Sequence, residues 1–118
     1  MTPDQLWQRY SRIWSADRAT RITELDACLA NTCSYCDVNG LIVGHQALSN
    51  YMEGFQQSVS GGKFRIKSVV HHHDRMLAEW ELLGRNDSVL QTGRSFATVA
   101  DDGRLASITG FFDLQAAG

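Results

Sequence analysis

The hydrophobic period of this chain is mainly helical before Gly61-Gly62 and two-residue after it, and that change narrows the folds open to it. Before the glycine pair, apolar residues recur at helical spacing. Leu6, Trp7, Tyr10, Ile13 and Trp14 form one face of an amphipathic helix. Thr2-Pro3-Asp4-Gln5 ahead of them is a capping box with proline at the first helical position. A second helix, capped by Asp17 or Ser15, carries Ala19, Ile22, Leu25, Cys28 and Leu29 on its apolar side and stops near Asn31-Thr32. Cys33 to Asp37 reads as a short strand closed by the turn formers Asn39-Gly40. After Gly44, Ala47, Leu48, Tyr51, Met52, Phe55 and Val59 restore the helical period in a third helix.

Beyond Gly62 the period is two. Phe64, Ile66, Ser68, Val70 and His72 share one face of a strand, and Met76, Ala78, Trp80 and Leu82 share a face of the next. A further strand spans about Val89 to Ala100, Asp101-Asp102-Gly103 signals a hairpin, and a last strand runs from Arg104 to Leu114. Helices first, then consecutive antiparallel strands, predict an α+β fold with a strongly twisted meander sheet. The 118 residues fit a single domain, 1–118. Three helices cover only one face of the sheet. The other face carries Leu77, Leu83, Leu90, Phe96, Leu105 and Phe111, too much apolar surface to leave wet. A homodimer through this outer face, around Arg94, Phe96 and Phe111, is therefore expected.

Composition excludes several function classes. Formal charge is −2 and no basic run exceeds a pair, so the electrostatic footprint of a nucleic-acid binder is missing. No stretch approaches the ~20 apolar residues of a membrane span. The polar N-terminus lacks the pattern of a secretion signal, which makes the cytoplasm the expected location. Cys28, Cys33 and Cys36 are odd in number, against a disulfide framework. Cys33 and Cys36 lie in a strand rather than at a helix N-terminus, so they read as small buried thiols before a redox pair. Strand parity separates His72 from His71 and His73, and two imidazoles without a carboxylate make a poor metal site. No metal and no cofactor is expected.

Five landmarks in order carry a resemblance. They are Tyr35-Cys36-Asp37 with Asn39-Gly40; Gly44 with Leu48, Tyr51 and Phe55; His72-His73-Asp74; Leu77-Ala78-Glu79-Trp80; and Asp102-Gly103-Arg104-Leu105 with Ile108-Thr109-Gly110-Phe111-Phe112. Together they resemble the nuclear transport factor 2-like superfamily, in its SnoaL-like and ketosteroid isomerase-like branch. The resemblance implies a cone of curved antiparallel sheet closed by three N-terminal helices, usually dimeric through the sheet, with a pocket inside. It does not imply one function, because this fold hosts isomerases, cyclases, dehydratases, hydrolases and proteins without catalysis.

The same resemblance places Asp37 at the position of a general base, Tyr10 at that of an oxyanion-donating tyrosine, and Ser95 where ketosteroid isomerases carry a protonated aspartate. Strand parity puts His72 on the inward face with Val70, near Trp80, as a second acid/base or a donor to the ligand. Trp14, Tyr51, Phe55, Trp80, Ile108 and Phe112 are expected to line the pocket. Each residue has a plainer reading: Asp37 as a turn cap, Tyr10 and His72 as satisfied core groups, the aromatics as core packing. The functional expectation is a cofactor-independent isomerase, cyclase or dehydratase acting on a small apolar carbonyl compound. The competing reading is a non-catalytic ligand-binding or accessory module. The surroundings of Asp37 discriminate the two.

Overall fold

The structure, a computed structural model, describes residues 1–112. Its elements are α1 (Pro3–Ile13), α2 (Arg18–Cys28), β1 (Leu29–Asp37), β2 (Gly40–Val43), α3 (His45–Ser58), β3 (Lys63–His72), β4 (Arg75–Leu83), β5 (Val89–Val99) and β6 (Leu105–Phe112). The expected run of the last strand to Leu114 ends outside the described residues. One six-stranded sheet has the order β2-β1-β6-β5-β4-β3, and the three helices pack on one side of it. The fold is α+β, with a curved, open sheet, but that sheet is mixed rather than purely antiparallel. β1 runs parallel to β6, because the chain leaves β1 through β2 and α3 before building the rest.

The local causes of the helices are those expected. The Thr2 side chain accepts from the Gln5 N–H at 3.1 Å, and the Gln5 side chain accepts from the Thr2 N–H at 2.9 Å. Asp17 caps α2 through the Thr20 N–H at 2.8 Å. That helix ends at Cys28, earlier than its apolar pattern suggests. The Arg104 guanidinium, brought from the β5–β6 hairpin, donates to the carbonyls of Asp26 and Leu29 at 3.1 and 3.2 Å. A distant side chain thus satisfies the helix's orphan carbonyls and releases Leu29 into β1. The buried stripe of α2 is Arg21, Leu25 and Cys28, while Ile22 faces solvent. Arg21 is fully buried; its guanidinium donates to the Ala16 carbonyl at 2.9 Å and the Ser49 hydroxyl at 3.0 Å, and the Glu53 carboxylate lies 3.6 Å away.

Bulges on β3 and β6 change which residues face inward. On β3, Ile66 pairs with Trp80 and Ser68 with Glu79, so Lys67 is an extra residue. An extra residue shifts the two-residue period by one and sharpens the local twist. Phe64 and Ile66 face the interior as expected. Beyond the bulge Val69 points inward, and Ser68, Val70 and His72 point outward. On β6, Val99 pairs with Leu105 and Thr98 with Ser107, and this turns Leu105 into the core beside Ile108. On β5, Leu90 is an extra residue between the pairs Leu82–Gln91 and Leu83–Val89; β4 is unbroken there, so Leu83 stays on the face of Leu77 although it is buried. The exposed part of the outer face therefore holds Leu77, Leu90, Phe96 and Phe111, Leu83 is buried on that face, and Leu105 is lost from it to the core.

Candidate functional site

A cavity of about 600 Å³ lies between α1, α3 and the concave face of the sheet. Its floor follows from sheet register. Ala78, Ser95 and Gly110 sit side by side across β4, β5 and β6, and the next row is Trp80, Gly93 and Phe112. Small inward residues at the centre leave the depth. Gly93 lets the Trp80 indole lie over β5, because a Cβ there would collide with that ring and with the Phe111 carbonyl. Aromatic walls enclose the space. Trp14 meets Tyr35, Tyr51, Phe55 and Phe64 at centroid distances of 5.3–6.1 Å. Phe64 stands perpendicular to Trp80, which stands at 80° to Phe112. Rings meeting at such angles are adjoining walls rather than a stack, and edge-to-face contact is a favoured aromatic geometry.

Asp37, at the end of β1, is the sole charged residue among the described lining groups. Its Oδ2 accepts the Tyr35 hydroxyl at 2.8 Å, and the Tyr51 hydroxyl donates across Oδ1 and Oδ2 at 2.9 and 2.8 Å. Oδ1 also accepts the backbone N–H of Asn39 at 2.7 Å. The carboxylate is therefore both a turn cap and a cavity group. Burial, reinforced by the carboxylate, pushes Tyr51 up to about 12 and Tyr35 further still. Both phenols stay protonated and act as donors. Sequence reading gave Tyr51 only as lining and missed Tyr35. Strand parity would have found it, two residues before Asp37 on the same face.

Two further hydroxyls are set by indoles. The Trp14 Nε1–H donates to Tyr10 Oη at 3.1 Å, and the Trp80 Nε1–H donates to Ser95 Oγ at 3.0 Å. Both Tyr10 and Ser95 line the cavity, and both are buried. Neither hydroxyl proton has an acceptor among the described residues, so each is left for a ligand. Burial raises the Tyr10 phenol well above its ordinary value, which keeps that proton in place.

Trp14, Tyr51, Phe55, Trp80 and Phe112 line the cavity; Ile108 instead lies in the core, 1% exposed. His72 is outside the cavity. It is exposed, with Nδ1 3.1 Å from His73 Nδ1, and the β3 bulge is the physical reason. No group of three His, Cys, Asp or Glu able to hold a metal occurs among the described residues. Among them, too, no helix is long and apolar enough to cross a membrane.

The SnoaL-like domain profile matches residues 7–108, nearly the whole described chain. The chain belongs to the SnoaL-like family. Similar solved structures agree in fold. A candidate isomerase of the SnoaL-like family from Agrobacterium tumefaciens is 20% identical, with a TM-score of 0.86 over 93% of this chain and 96% of the other. A candidate SnoaL-like polyketide cyclase from Jannaschia sp. CCS1 is 14% identical, with a TM-score of 0.73 over 96% and 90%. A protein of ketosteroid isomerase-like fold from Catenulispora acidiphila, in complex with trimethylamine, is 12% identical, with a TM-score of 0.75 over 97% and 88%. No curated protein matches the chain. At these identities the neighbours establish the nuclear transport factor 2-like fold of this SnoaL-like domain, and its chemistry rests on its own residues.

Proposed function

We propose that this SnoaL-like protein is a cofactor-independent isomerase, cyclase or dehydratase that moves a proton beside the carbonyl of a small apolar substrate. The observation that carries the reading is the Asp37 carboxylate lining an aromatic cavity that also presents two uncommitted hydroxyl protons. The ligand's carbonyl oxygen accepts from Tyr10 and Ser95. Asp37 takes a proton from the adjacent carbon through Oδ2, and the electron pair left behind forms the enolate. Negative charge grows on the oxygen as the two hydroxyls strengthen their bonds to it. Return of the proton to another carbon gives isomerisation; loss of a neighbouring hydroxide as water gives dehydration. Tyr35 and Tyr51 hold the carboxylate in place throughout.

The second reading, a ligand-binding module without chemistry, draws on the Asn39 N–H bond to Oδ1, which gives Asp37 a structural task of its own. Deuterium exchange at the α-carbon of cyclic ketones in heavy water, followed by NMR, separates the two. Wild-type protein is expected to accelerate exchange. Asp37→Asn, nearly identical in size, should lose about 10²–10⁴-fold or more of that rate while binding the ketone almost unchanged. Equal rates for the two proteins would leave only the binding module.

A further inference from the structure

Glycine inside a strand costs stability, because it packs no side chain and gives up more backbone freedom than alanine. At Gly93 the cost has a steric cause, already given. Gly110 on β6 has none. Its φ is not positive, so any residue adopts its backbone conformation. A Cβ built on it would meet Ser95 Oγ at 3.6 Å, Tyr35 Oη at 3.7 Å and Asp37 Cβ at 3.9 Å, all ordinary contact distances. Alanine therefore fits the fold. What glycine leaves instead is a recess of about methyl size, bounded by three groups of the site, one of which is a buried hydroxyl with an uncommitted proton.

We propose that Gly110 determines specificity: its recess receives the oxygen-bearing end of an uncharged carbonyl ligand, whose apolar rings then lie along Trp14, Phe64, Trp80 and Phe112. This rests on the proton-transfer reading and names its ligand class more narrowly. Ser95 supplies the donor, and the missing side chain lets the ligand oxygen approach it. Charge excludes the obvious rival. The described lining holds one carboxylate and no cation, so an acid would bring a second negative charge beside Asp37 with nothing to offset it.

The probes are 1-indanone and indane, which share a ring system and differ at one carbonyl. Dissociation constants are measured by calorimetry on wild type, Gly110→Ala and Ser95→Ala, with thermal unfolding as the check on folding. Gly110→Ala is expected to unfold at the same temperature or higher. It should lose about tenfold in affinity for 1-indanone and less than about threefold for indane, as expected for one displaced hydrogen bond. Ser95→Ala should lose the same preference without filling the recess. An equal change for both probes in Gly110→Ala, or an unaltered preference in Ser95→Ala, overturns the role of Gly110 and leaves the cavity reading standing. Failure of wild type to bind either probe overturns both.

Discussion

At the residue scale, the distinguishing feature is a carboxylate that is held rather than free. Tyr51 spans both oxygens of Asp37 from α3, so it is a positioning residue. Tyr51→Phe should cost about 1.5–3 kcal/mol of stability, the range for a hydrogen bond to a charged group. Its α-proton exchange rate should fall by up to about 10²-fold with ligand affinity little moved, because geometry and not contact is lost. An affinity loss as large as the rate loss would contradict this role. All three tyrosines of the chain line the cavity, so their titration reports on it alone. Each is raised in the folded state, Tyr51 from 10.0 to about 12. A raised acid keeps its proton longer when folded, so this contribution is whole below pH 10 and is lost as pH rises towards 12 and beyond. Tyrosinate absorbance is therefore expected to appear with unfolding. Reversible ionisation near pH 10 in the folded protein would contradict the burial described.

At the scale of elements, α1, α3 and the strand phases away from the bulges were legible because their causes are local: a capping box, glycine punctuation and short apolar periods. Asp37, Tyr10 and Ser95 reached the site through family resemblance, and periodicity placed Trp14 and Tyr10 on one helical face. What stayed hidden depends on distant partners. The Lys67 bulge has no local signature, since it is set by how β3 registers on β4, and it carried His72 to the outside. The early end of α2 likewise depends on Arg104, far along the chain. β2 was missed because it is four residues long, with Leu41 and Val43 facing out. Arg104→Ala should remove the carbonyl partners of α2 and destabilise the protein by about 1–3 kcal/mol in urea unfolding. An unchanged midpoint would mean that the α2–β1 junction holds without it.

At the scale of the molecule, the sheet divides two environments. Its concave face holds the cavity. Its outer face carries a row across all six strands: Val70, Leu77, Phe96, Thr109, Cys36 and Leu41, with Phe111 alongside. Val70, Leu41 and Phe111 are each more than 60% exposed. We propose that a second copy covers this face, as an apolar patch continuous across a sheet favours. Sedimentation should give a dimer at micromolar concentration, and Phe96→Glu with Phe111→Glu should give a folded monomer. A monomeric wild type would remove the proposal. The central claim, that the concave face orients a carbonyl compound for proton transfer to Asp37, is tested most directly by a crystal structure of Asp37→Asn with 1-indanone. The account predicts the ketone oxygen within hydrogen-bond reach of Tyr10 Oη and Ser95 Oγ, with its α-carbon beside residue 37. A ketone bound with its oxygen turned to the cavity mouth, or lying on the outer face alone, would contradict it.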